Sequence, residues 1–132
     1  MKLGKSCFHF PLSFVMKWAL CGGLDVPDWL LQEARLLATV SALKLRTIAN
    51  ALTHDDQHQK AQSLLAAYEP DDATAIHAAL LFILEHAVRH NIDDATLVEE
   101  LLQLGLPREH ADGLLRVLRE RRDALASRAH AR

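Results

Sequence analysis

Glycine and proline are scarce in this chain: five and four among 132 residues. That is few for a β protein, which draws on both at its turns, while the prevalence of Ala and Leu favours helix. Cysteine is scarcer still. Cys7 and Cys21 are the only two, both near the N-terminus. Two thiols make no disulfide framework, and a reduced intracellular setting is the simpler expectation. Charge of one sign is also missing. The formal net charge is −2, which gives no overall field for nucleic acid or an anionic membrane. There is no glycine-rich phosphate loop, no local signature of a cysteine nucleophile, and no spacing that singles out a Ser-His-Asp triad. Half of the residues are hydrophobic, enough for the core of one domain at this length.

The most apolar stretch is DDATAIHAALLFILEHAVRH, from Asp71 to His90. Ile76, Ala79, Leu80, Ile83, Leu84 and Ala87 repeat at helical spacing, and Leu81, Phe82 and Val88 widen the stripe. A helix apolar nearly all round is buried by neighbours on several sides. Asp71 and Asp72 suit its N-terminal end, Arg89 and His90 its C-terminal end, and Asn91 a left-handed stop. His77, Glu85 and His86 interrupt it too often for a membrane span. It is predicted to be the central helix of a bundle.

Other helices are predicted around it. Pro27 fits the first turn of one whose apolar face is Trp29 or Leu30, then Glu33 or Ala34, then Leu36-Leu37. Trp29 is read as a core or groove anchor rather than a ligand contact. Ser41 caps a second, with Leu45, Ile48, Ala49 and Leu52 on its inner face. A shorter third runs from Gln57 to Tyr68 and ends before Pro70. Asp93 or Asp94 caps a fifth, which buries Leu97, Val98, Leu101 and Leu104 and closes at Gly105. Pro107 opens a sixth with Ala111, Leu114, Leu115, Leu118 and Leu125 on its stripe. The fold class is therefore all-α, a bundle of about six helices. Residues 1–15, with Phe8, Phe10 and Phe14, are expected to be a disordered or loosely packed leader. Lys2 and Lys5 precede an apolar run there, but His9, Pro11 and Lys17 break it and no cleavage site follows. Residues 16–125 form the helical domain, and 126–132 a polar tail.

The residues able to carry chemistry are few. His54 and His58, and likewise His86 and His90, are four apart, a spacing at which two imidazoles can chelate a metal if Asp55, Asp56 or Glu85 adds a carboxylate. Two-ligand spacing is weak support, and ordinary surface histidines are the expected reading, with no metal and no cofactor. The acidic pairs Asp55-Asp56, Asp71-Asp72 and Asp93-Asp94 fall at helix starts, where capping explains them better than acid–base catalysis. With Glu99-Glu100 they leave no catalytic residue to name. The C-terminal arginines, among them Arg119, Arg121, Arg122 and Arg128, lack the interleaved aromatics of an RNA-binding surface and read as a solvated helix end or linker. Trp29, Arg119, Arg121 and Arg122 are the candidate partner contacts.

CGGLDVPDW at Cys21–Trp29, SALKLR at Ser41–Arg46 and LQLGLPREHA at Leu102–Ala111, with the apolar LLFILEHAVRH between the last two, occur in an order that resembles the N-terminal helical region of COMM-domain-containing proteins. The likeness covers roughly residues 16–128. It implies a six-helix domain without enzymatic activity. It also implies membership of the Commander assembly, in which COMM proteins form a ring with coiled-coil subunits and the Retriever trimer to recycle membrane cargo from endosomes. Links to copper homeostasis, NF-κB repression and cullin ubiquitin ligases go with the family. The implied location is cytoplasmic and endosome-associated, with the nucleus also open. The implied partners are other COMM proteins and the coiled-coil subunits, with no nucleic acid and no membrane insertion. The family's interlocking C-terminal COMM domain is expected to begin where this sequence stops, and Met16 to be where the family's sequence begins. The chain alone is then expected to be a monomer. The alternatives are a stand-alone helical adaptor or a histidine-based, copper-binding protein.

Overall fold

The computed structural model describes residues 18–131. The expected leader at residues 1–15 lies outside them. Six α-helices make up the described part: α1 (Asp28–Thr39), α2 (Ala42–Leu52), α3 (His58–Leu65), α4 (Pro70–Arg89), α5 (Asp94–Leu104) and α6 (Arg108–Ala131). Short 3-10 turns at Ala19–Cys21 and Asp55–Gln57 complete it. No strand occurs among the described residues, only an isolated bridge between Trp18 and Leu24.

The central helix is α4, about 30 Å long at 1.5 Å per residue. Pro70 occupies its first turn, where no N–H is needed, and Asp71 and Asp72 follow at the positive end. Ile76, Ala79, Leu80, Ile83 and Leu84 are fully buried. Helix α6 covers it most extensively, with α1, α2 and the N-terminal turn on other sides. Its C-terminal end closes on a left-handed Asn91 (φ 50°). There the N–H of Ile92 donates to Ala87 and that of Asn91 to Val88, each at 3.1 Å. Gly105 (φ 108°) ends α5 in the same way, with Leu106 donating to Leu101 and Gly105 to Leu102. In both cases the residue after the left-handed one, Ile92 or Leu106, is buried and pins the chain as it leaves the helix.

The other caps follow the sequence. The Ser41 hydroxyl accepts from the Lys44 N–H, and Asp93 accepts from both the N–H and the hydroxyl of Thr96. Pro27 stands one residue ahead of α1 rather than inside its first turn. Helix α3 stops at Leu65, three residues short of the predicted Tyr68. The cause is Pro70 two residues further on: it holds Glu69 extended (ψ 146°), so the chain must unwind beforehand. Leu64 on α3 and Tyr68 in the turn after it still pack on the core. Helix α6 is not straight. Arg121 leaves helical geometry (φ −119°, ψ 15°) and divides it, and the helix then continues through the polar segment to Ala131.

Candidate functional site: a histidine-lined cleft

The ends of α2 and α3 meet α4 and the distal part of α6 around a cleft of about 280 Å³. Its polar lining is His54, Asp55, His58, His77 and Arg128, set between apolar walls from Leu52 and Leu81. The four-residue spacing would let His54 and His58 share a helix face. The structure separates them: His54 is extended after α2, and His58 begins α3 beyond the 3-10 turn. They nevertheless line the same cleft, and α4 adds His77, which the four-residue spacing did not pick out.

Local hydrogen bonding orients these groups. The Nδ1–H of His54 donates to the Asn50 carbonyl at 2.8 Å, which fixes the tautomer and leaves Nε2 for other partners. Arg128 reaches back from α6: Nη1 donates to the Leu52 carbonyl at 2.9 Å, and Nη2 pairs with Asp55 at 2.6 Å. Arg121 does the same one residue on, donating to the Thr53 carbonyl at 3.1 Å. Two cations thus take up the carbonyls that α2 leaves unsatisfied at its C-terminal end. Burial holds the His77 imidazole below its usual pKa, and the nearby His58 adds to the shift.

The remaining sequence candidates lie elsewhere. His86 stacks on Phe82 with ring centroids 3.8 Å apart, and its Nδ1–H donates to the Phe82 carbonyl at 3.0 Å. His90 is tilted against it at 5.8 Å. Burial depresses the His86 pKa, and Arg89 and His90 push the same way against that hydrogen bond and Glu85. Among the described residues no three His, Cys, Asp or Glu side chains converge as a metal site. Trp29 is 42% exposed and meets Phe82 edge-on at 5.3 Å, while its neighbour Leu30 is the buried residue of that turn. The three candidate arginines do not form one patch. Arg119 and Arg122 both hold Asp94 of α5, whereas Arg121 holds Thr53.

Residues 24–118 match the family described as COMMD2-7/10, HN domain. The chain belongs to this COMM family. A curated relative, COMM domain-containing protein 4 of Dictyostelium discoideum, is 42% identical over 65 residues, a stretch covering 49% of this chain and 37% of the relative. The HN domain belongs to a family without known catalytic activity. The matched region runs from the end of the N-terminal turn to the third turn of α6. The segment ahead of it is tied to it by Glu100, and the end of α1 is tied to α6 within it by His110, two roles that sequence reasoning missed. Glu100, read only as half of an acidic pair, is buried and accepts from the N–H groups of Ala19 (2.7 Å) and Leu20 (2.9 Å). His110 is buried and donates from Nε2 to the Val40 carbonyl. The available signal for Glu100 was positional: Leu97, Leu101 and Leu104 place it beside the apolar face of α5. Nothing local marked its partners, about 80 residues away.

Proposed function

We propose that this chain is a non-enzymatic protein-interaction module that works with other COMM proteins in the endosomal recycling of membrane cargo. The observation that carries the reading is the HN-domain match over residues 24–118. The architecture supports it. Burial of the apolar stripes is completed within the bundle, and the buried carboxylate and imidazole with long-range hydrogen bonds, Glu100 and His110, hold backbone groups rather than face a cleft. No described helix is long and apolar enough to cross a membrane.

On this reading the partner surface includes the exposed side of α1 at Trp29, 42% exposed. Half-buried aromatic anchors of this kind dominate the energetics of many interfaces. Arg119, 63% exposed at its side chain, offers a polar contact on the α5–α6 side. Affinity purification of the protein from cells, followed by identification of the retained COMM proteins, tests the reading. Recovery of COMM partners, weakened by Trp29→Ala, is expected. Absence of every COMM protein from a purification in which the bait is folded would overturn it. NF-κB and cullin-ligase links would then be pursued only through partners so recovered.

A further inference from the structure

We propose that the cleft between α2, α3, α4 and the distal part of α6 is a binding site for a phosphate-type dianion, with Arg128 and the imidazoles of His54, His58 and His77 as its recognition groups. This does not rest on the interaction role proposed above.

The Arg128–Asp55 contact marks the oxyanion position. The Arg128 side chain is only 22% exposed, and its Nη1 is committed to the Leu52 carbonyl. Asp55, at the other nitrogen, is 92% exposed at its side chain. A carboxylate standing in water on the tip of a largely buried guanidinium competes for the same donors that a phosphate oxygen takes. Asp55 is thus the internal stand-in that a more highly charged anion displaces.

The imidazoles supply what a carboxylate does not use. With Nδ1 of His54 committed to Asn50, its Nε2 donates only once the ring is protonated. His58 and His77 are close enough to oppose each other's charge. Arg128 and Asp55 cancel, so the empty cleft carries little net charge while its three imidazoles are neutral. A dianion reverses the balance: its charge favours protonation, and each imidazolium gains an N–H donor toward it. These five are the titratable or charged groups lining the cleft from the elements around it. A cation is disfavoured by the guanidinium, and no three metal-ligating groups converge among the described residues. The volume, about 280 Å³, is at the small end for ligand pockets and suits a phosphate group or a monoester head.

The test uses the 132-residue chain and follows histidine ring resonances by NMR. Inorganic phosphate is titrated against chloride at matched ionic strength. Sulfate, whose charge is constant from neutral to mildly acidic pH, separates titration of the protein from titration of the ligand. Saturable shifts confined to His54, His58 and His77 are expected, with the resonances of His86, His90 and His110 unmoved. Asp55→Asn should tighten binding about five-fold, and Arg128→Gln should weaken it at least about ten-fold. Arg128 also supports α2, so His58→Asn, at an exposed position, is the second variant and should weaken sulfate binding most at mildly acidic pH. Asp112→Asn changes charge equally at the separate Arg108–Asp112 pair and should leave binding unaltered.

Two further arms identify the source. Sedimentation with phosphatidylcholine vesicles containing phosphatidic acid, competed by inorganic phosphate, assigns a lipid monoester head. Saturable binding of inorganic phosphate without vesicle binding assigns a soluble phosphate. Uniform shifts of all histidines, an equal gain from Asp112→Asn, or no saturation at tens of millimolar phosphate would overturn the site.

Discussion

Glu100 is a single side chain that decides where the N-terminal turn sits. It accepts two backbone N–H groups in a buried place, and hydrogen bonds to a charged partner are the stronger kind. Its charge also helps burial raise the pKa of the adjacent Cys21, keeping that residue a thiol rather than a thiolate. Glu100→Ala is expected to lower unfolding free energy by about 2–3 kcal/mol, measured by urea denaturation, with Glu100→Gln losing less. A loss below about 0.5 kcal/mol, within the range of an ordinary surface change, would mean that water replaces the carboxylate without strain. His77 and His86 give a pH dependence of known sign. Both folded-state pKa values lie below the ordinary 6.5, chiefly through burial. The unfolded chain therefore binds protons first as pH falls. Their contribution is complete above the unfolded pKa, and is lost as pH drops from there toward the depressed folded values. Melting temperature should decline from pH 7.5 to 5.5, and His86→Asn should flatten part of that decline. An unchanged slope in the variant would remove His86 from the account.

At the scale of the element, α4 was the most legible part of the chain, because nearly every signal in it agreed. Its apolar period, its acidic first turn and its Asn91 stop all reappear in the structure. Leu84 is fully buried at its centre, so Leu84→Asp would bury an unpaired charge at a cost of several kcal/mol, a large part of a domain's total. Loss of cooperative unfolding by circular dichroism is the expected result; a sharp transition within a few degrees of the parent would show that the side chain finds water. Gly105 makes a finer test. Open space surrounds the position of an added Cβ, yet φ is 108°. Gly105→Ala should therefore cost about 1–2 kcal/mol from backbone strain alone. An equally stable variant would mean that the α5–α6 corner relaxes. Where signals were short-range the reading held, as at Ser41 and Asp93. Where two rules met, as between α3 and Pro70, the boundary moved by three residues.

For the whole molecule, the sequence pattern showed which faces are apolar but not which ends meet. The cleft joins Asp55 to Arg128 across 73 residues. No periodicity encodes that distance; it follows from α6 folding back along α2 and α4. The same argument explains why His77 escaped notice, since its cleft partners His54 and His58 belong to other elements. The described surface offers only scattered large apolar residues, Leu24, Trp29, Leu31, Leu43 and Leu102, and no heptad seam. Light scattering of the 132-residue chain should therefore give a monomer mass across micromolar concentrations. A stable dimer would locate an assembly surface on the helical region itself.

The break at Arg121 turns α6 into a jointed strut. The near arm is clamped in the core by Leu114, Val117 and Leu118. The far arm, ten residues to Ala131, is about 15 Å long and is held near its joint by Arg121, then by the buried Leu125 and further out by Arg128. Leverage follows from those lengths: a tilt of a few degrees at the joint displaces the tip by about an ångström over such an arm. Cutting the outer pin by Arg128→Gln should speed amide exchange beyond Leu125 while the near arm keeps its protection. Beyond Leu125 the stiffness of the arm would then be set by a guanidinium, one helix-end carbonyl and the Asp55 carboxylate rather than by the core.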